Sequence, residues 1–234
     1  MRVAHRPWIL DVREVGAPGL FSMALSFVAG FVDSVAFVAL GFFPAHITGN
    51  FALIGDILTR SSGGYALKLL AFAAFVVGIA GAQVMAHRSE RRSSQLRRPL
   101  LILEAALIAG FAVSGGFADS ESFSGRVLAA SAAILGAAAM GLQSATVNIL
   151  LSEPTSTTAM TGNVTRLVLE ISDLVLRGGD GAKRQRVARM VVLVLGFGLG
   201  AVAGPIGLVT FGFGVLLMPI ITLAAVGASR RPWA

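Results

Sequence analysis

A chain of 234 residues with a net charge of +7 is long enough for one domain or two small ones. Hydrophobic residues make up 55% of it and charged residues only 13%, against roughly a quarter charged in a soluble domain, so a soluble fold is excluded. The lack of any cysteine excludes disulfides, thiolate metal sites and cysteine catalysis.

The apolar residues fall in long runs. About 20 of them are needed to cross a hydrocarbon core about 30 Å thick. Six windows meet that test: Leu20–Phe43, Ala66–Ala86, Pro99–Phe117, Val127–Leu151, Val187–Val209 and Phe211–Ala228. They are continuous and rich in Ala, Leu and Gly, with no period-two alternation, which predicts helices and not a barrel. The expected fold is all-α and integral to a membrane, with about six transmembrane helices.

In chain order, residues 1–19 read as a cytoplasmic segment. Trp8, Ile9, Val12 and Val15, with Arg6, Asp11 and Arg13 between them, fit either a short interfacial helix or a disordered tail. The first window is too long for a signal-peptide core and reads as a retained helix. It carries Asp33, where a carboxylate costs several kcal/mol unless paired, hydrated or protonated. A solute ligand, a proton carrier and an anchor for nearby backbone are all open uses, and so is a buried acid satisfied by backbone donors. After it come Pro44-Ala45-His46-Ile47-Thr48-Gly49-Asn50 and the short run Phe51–Leu58, too brief to cross comfortably.

The second window has Ala74, Gly78 and Ala82 at a spacing that lets helices approach closely. The third has Glu104 five residues from its start, within reach of the interface, where a structural role is favoured. The fourth has Gln143, matching Asp33, with Asn148 on what could be the same polar face. Thr161-Gly162-Asn163 then repeats the earlier tripeptide, followed by Val164–Leu176 with Arg166, Glu170 and Asp173 in it. Asp56–Arg60 and Arg166–Glu170 are spaced for i,i+4 ion pairs. His46, Asp56, Arg166 and Glu170 are also candidates for a vestibule. In the fifth window Gly196, Gly200 and Gly204 form a small-residue stripe, for packing within the chain or in a homo-oligomer.

Loop charges orient the spans. With both short runs re-entrant and the N-terminus cytoplasmic, Arg88, Arg91, Arg92, Arg97 and Arg98 fall inside, with Arg177, Lys183, Arg184, Arg186, Arg230 and Arg231. Asp119 and Glu121 fall outside, obeying the positive-inside rule. Three spans plus a re-entrant run then occur twice, inverted: residues 20–125 as the first repeat, 126–229 as the second, and 230–234 as a cytoplasmic tail. Gly30-Phe31-Val32-Asp33-Ser34 leads to the first tripeptide as Gly141-Leu142-Gln143-Ser144 leads to the second. Such repeats place broken helices opposite each other near the midplane.

The chemistry expected there is binding. Thr48 and Thr161 are candidate N-caps, Gly49 and Gly162 permit close backbone approach, and Asn50 and Asn163 add amide donors and acceptors. The positive ends of two short helices suit a small polar or anionic solute. No nucleic-acid partner is expected, because the basic residues sit in short loops. His5, His46 and His87 are far apart and no metal-ligand spacing, P-loop or GxSxG occurs. No metal, cofactor or enzymatic activity is therefore expected.

Gly30-x-x-Asp33, Thr48-Gly49-Asn50, Gly141-x-Gln143 and Thr161-Gly162-Asn163-x-Thr165-Arg166 together resemble the YoaK family of bacterial membrane proteins, over roughly Gly19 to Ala228. Ser144 stands where that family's pattern often has Asn. The resemblance implies a multi-pass protein of the bacterial inner membrane and names no substrate. The leading expectation is a channel or transporter for a small solute, with both termini cytoplasmic and the lipid bilayer and solute as partners. The solute would pass Asp33, Thr48, Gly49, Asn50, Gln143, Asn148, Thr161, Gly162 and Asn163. A membrane-embedded enzyme acting on a lipid or metabolite, and an accessory or scaffold protein, are the alternatives.

Overall fold

The computed structural model describes residues 12–60, 65–89, 93–119, 121–151 and 156–229. Trp8 and Ile9 of the proposed interfacial segment, and the tail 230–234, lie outside the described residues. Among the described residues the fold is helical and has no strand. Its elements are α1 (Val12–Leu40), α2 (Ile47–Arg60), α3 (Tyr65–Arg88), α4 (Ser93–Gly116), α5 (Phe123–Leu150), α6 (Met160–Arg177), α7 (Gly181–Phe211), a 3-10 turn (Gly212–Leu216) and α8 (Leu217–Ala228).

Among the described residues five segments are long and apolar enough to cross a membrane: Val15–Leu40, Ala66–Arg88, Gln95–Gly116, Phe123–Leu150 and Gly181–Ala228. The fifth holds both α7 and α8. They are separated where Gly212 takes a left-handed φ of 56° and the 3-10 turn begins. Large apolar side chains such as Val77, Ile102, Val113, Val202 and Ile221 point outward, as lipid-facing residues do. The fold is that of a multi-pass membrane protein.

Several helices start upstream of their apolar windows, α1, α4 and α7 by the most. α1 begins at Val12 and kinks at Gly16, whose φ of 63° breaks the helical geometry ahead of Pro18. α4 begins at Ser93, so Arg97 and Arg98 lie on it and not in a loop. Both reach the C-terminal end of α8: Arg97 Nη2 donates to the Ser229 carbonyl, and Arg98 Nε donates to the Gly227 carbonyl at 3.1 Å. Cations there answer carbonyls that the helix itself leaves unpaired.

Small residues decide which helices meet. A Cβ on Gly30 would stand 2.2 Å from the Phe197 carbonyl oxygen, and one on Gly200 2.1 Å from that of Phe27. A Cβ on Gly78 would stand 2.2 Å from the Ala138 oxygen, and one on Gly141 2.0 Å from that of Phe75. Hence α1 lies backbone to backbone on α7, and α3 on α5. Gly19 meets Arg189, Phe27 meets Gly200 and Phe31 meets Gly204, so α1 and α7 run parallel. Phe75 meets Gly141 while Ala82 shares a cluster with Ala145, so α3 and α5 also run parallel. α4 and α8 are antiparallel, since Arg97 meets Ser229 and Gly115 meets Phe213.

The glycine stripe of α7 packs within the chain: Gly196, Gly200 and Gly204 are buried against Met23, Phe27 and Phe31 of α1. Between the helices the core is filled by Phe21, Phe31, Phe42, Phe111, Leu25 and Met140, all fully buried.

Candidate functional site

Two connections, ahead of α2 and of α6, gather most of the polar residues that the sequence singles out. At the end of α1, Gly41 takes a φ of 69° and lets the chain reverse. Residues 42–46 fold back along the last turns of α1 to Asp33. Its Oδ1 accepts from the backbone N–H of Ala45 at 2.7 Å and of His46 at 3.1 Å. Its Oδ2 lies 2.7 Å from His46 Nδ1. The carboxylate side chain is 4% exposed and has three partners, which offsets the cost of placing it at this depth. His46, in the connection, has its pKa raised because its hydrogen bond to Asp33 outweighs the desolvation that lowers it. Its ring stands edge-on to Phe197 of α7 at 5.4 Å.

Asn50 completes this anchor. Its Oδ1 accepts from Phe43 N at 2.8 Å and its Nδ2 donates to Phe43 O at 2.7 Å. The Phe43 ring stacks on Phe37 at 4.3 Å. Thr48 is exposed and Gly49 half-buried beside Phe43.

The second connection is built on the same plan with different chemistry. Asn163 Nδ2 donates to the carbonyl of Ser156, seven residues earlier, as Asn50 does to Phe43. Gln143 Nε2 donates to Thr157 Oγ1 at 3.1 Å and to the Leu25 carbonyl of α1 at 2.7 Å. The hydroxyls of Ser144 and Thr158 are 3.0 Å apart, so Ser144 fills a polar role where the family pattern often has Asn. Ser156 Oγ accepts from Ala159 N at 3.0 Å. Asp33 and the Gln143–Ser144 pair thus each hold a chain segment 12 to 14 residues downstream.

Several expectations need correction. Thr48 and Thr161 are not N-caps: α2 starts at Ile47, and Ala159 caps α6 without a side-chain bond. The asparagines and the upstream anchors fix these helix starts, so the threonines turn outward, and Thr161 and Gly162 are exposed. Asn148 is exposed and donates to the Ser144 carbonyl of its own helix at 2.8 Å, away from Asp33. Among the described residues Arg166 and Glu170 make no ion pair; Asp173 pairs instead with Arg177 at 3.3 Å and with Lys183. The side chains of Asp56 and Arg60 lie outside the described residues. Glu104 is fully buried among the helices, and it lies well inside α4 because that helix starts at Ser93, upstream of its apolar window.

The two centres are also staggered. Gln143 reaches Leu25, eight residues before Asp33, which is about 12 Å along α1 at 1.5 Å per residue. α2 packs on α3, and α6 on α7. Sequence reasoning missed Ser156, Thr157 and Thr158, although three consecutive hydroxyl residues ahead of a second Thr-Gly-Asn are a visible signal. Among the described residues no group of three His, Cys, Asp or Glu side chains could hold a metal ion.

No curated protein and no solved structure matches the chain. The YoaK resemblance is consistent with the family match that was found, and no named relative adds to it. Over residues 21–229, nearly its whole length, the chain matches the model described as "Protein of unknown function (DUF1275)", and it belongs to that family.

Proposed function

We propose that the chain is a channel or transporter for a small polar or anionic solute in the bacterial inner membrane, built as two inverted repeats of three spans. The observation that carries this reading is the doubled anchor, in which α2 and α6 are each launched from a polar centre inside the helical bundle.

The directions of the spans support the repeat. If α1 leaves the cytoplasmic side, α7 leaves with it, and α8 returns across the turn. α4 opposes α8, so it also leaves, and α3 and α5 return. α2 then begins and ends on the outer side, and α6 begins and ends on the inner side. At 1.5 Å per residue their 14 and 18 residues span about 21 Å and about 27 Å, less than the about 30 Å of a hydrocarbon core. The parallel pairs α1–α7 and α3–α5 exchange under such a repeat, as do the neighbours α2–α3 and α6–α7. The exposed starts of α2 and α6, at Thr48, Gly49, Thr161 and Gly162, bring backbone N–H groups and positive dipole ends to the pathway.

One observation favours a second reading, that of an accessory or scaffold protein. Asp33, Asn50 and Asn163 spend their hydrogen bonds within the chain, as parts that only hold the fold would. Neither reading assigns a catalytic residue.

Cysteine scanning separates the two, because the chain has no background cysteine. In the transport reading, single cysteines at positions 48–51 and 161–164 react with small water-soluble thiol reagents, and proteoliposomes take up a small solute. Loss of uptake in Asn50→Ala would accompany it. Unreactive cysteines at all these positions, with no uptake across a panel of small anions and polyols, leave the scaffold reading.

A further inference from the structure

One carboxyl of the bundle core takes no part in these anchors. Glu104 lies about three turns into α4 at 3.6 residues per turn. It is fully buried, and neither of its oxygens has a hydrogen-bond partner among the described residues. Gln143 is equally buried, and its Oε1 also lacks a donor among the described residues. Its Nε2 is committed to Leu25 O and Thr157 Oγ1. Because a backbone carbonyl only accepts, the bond to Leu25 fixes which end of the amide is nitrogen, and the atom left over is the oxygen.

The two side chains share a level. Leu100 and Leu107, about one turn before and after Glu104, pack in the cluster that holds Leu142 and Ala145, which bracket Gln143. Among the described residues no cationic side chain hydrogen-bonds to either of them. Arg126, near the start of α5, is the only titratable residue of that helix, and the 3-10 turn and α8 carry none. α1 brings Arg13 and Glu14 near its start and Asp33, which His46 engages; α3 brings Tyr65 and Lys68 near one end and His87 and Arg88 at the other. On α4 itself, Arg97 and Arg98 bind the end of α8. An ionised carboxylate left unpaired in such a place costs several kcal/mol. One proton on Glu104 removes the charge and supplies a donor for Gln143 Oε1, leaving a single neutral carboxyl oxygen as acceptor.

We propose that Glu104 and Gln143 form a proton site in the membrane core, where a proton taken from water turns the Glu104 carboxylate into a carboxylic acid that donates to Gln143 Oε1. The same amide grips Thr157, so the proton acts on the connection that launches α6. The site stands whether or not a solute crosses, since it concerns only where a proton is held.

Infrared spectroscopy of the full chain in lipid nanodiscs tests it. The wild type is expected to show the carbonyl stretch of a protonated, hydrogen-bonded carboxyl. Glu104→Gln should lose that band, and Gln143→Leu should keep it but shift it to higher frequency. Should Glu104→Gln fail to fold, Asp33→Asn makes the assignment, because it removes the other carboxyl of the spans and must leave the band. Absence of a protonated-carboxyl band, or its loss in Asp33→Asn alone, overturns the proposal. A band that Gln143→Leu does not move overturns the pairing. Loss of the band on adding sodium at constant pH overturns it too, and reassigns the site to a metal cation.

Discussion

Asn50 holds both polar groups of Phe43 at once, accepting from its N–H at 2.8 Å and donating to its carbonyl at 2.7 Å. Asn50 is 1% exposed, so its removal leaves both Phe43 groups without their partner in a mostly buried place. Leaving a buried backbone group unpaired costs about 1–3 kcal/mol. Asn50→Ala should therefore destabilise the fold by about 2–6 kcal/mol for the two groups together, read as a lowered thermal midpoint in nanodiscs. Asn50→Asp keeps the acceptor and loses the donor, and should fall between wild type and Asn50→Ala.

The Asp33–His46 pair gives stability a pH dependence. His46 is raised above its ordinary 6.5 by the Asp33 hydrogen bond. A group raised on folding contributes in full below its unfolded pKa, and that contribution is lost as pH rises through the folded value. The His46 contribution to the thermal midpoint of the wild type should thus be level just below pH 6.5 and decline above it. In His46→Gln the decline should be absent. Asp33→Asn should remove it as well, while retaining an acceptor for the Ala45 and His46 N–H groups.

Close backbone approach makes two glycines of similar appearance unequal. A methyl at Gly141 would stand 2.0 Å from the Phe75 carbonyl oxygen, whereas one at Gly198 meets nothing within 4 Å. Gly141→Ala must push α3 from α5 and should cost about 1–3 kcal/mol, the usual penalty for overpacking. Gly198→Ala should be neutral or slightly stabilising, since alanine favours the helix. Unfolding of both variants in parallel checks the contrast.

Topology can be read from two exposed positions. If α2 and α6 make no net crossing, the connection at Glu121 faces outward and the end of α6 at Arg177 faces the cytoplasm. In intact cells Glu121→Cys should react with a membrane-impermeant thiol reagent. Arg177→Cys should react only after the membrane is opened. The reverse pattern would remove the assigned orientation.

The spans were legible because a run of about 20 apolar residues has few other uses. Their ends were not: α4 begins among polar residues because Arg97 and Arg98 find acceptors on α8, a partner more than a hundred residues away. Asp33, Gln143 and both asparagines could be named from the doubled motif alone. Their roles could not, because the partners of Asn50 and Asn163 are backbone groups seven residues upstream, which no side-chain pattern reveals. Thr48 and Thr161 looked like caps by composition, and the tertiary anchors displaced them. Glu104 was under-read because its depth follows from where α4 starts.

The parallel pairing of α1 with α7 bears on how the protein is made. Ser26 of α1 donates to the Leu193 carbonyl of α7 at 2.8 Å, and Gly30 waits for the Phe197 backbone. As the chain leaves the ribosome, α1 enters the bilayer long before α7 exists. During that interval its hydroxyl and its bare glycine face must be shielded by lipid or by the insertion machinery. Assembly of the first helix is thus timed by the synthesis of the seventh, and chains truncated before α7 should be the forms that quality-control proteases find.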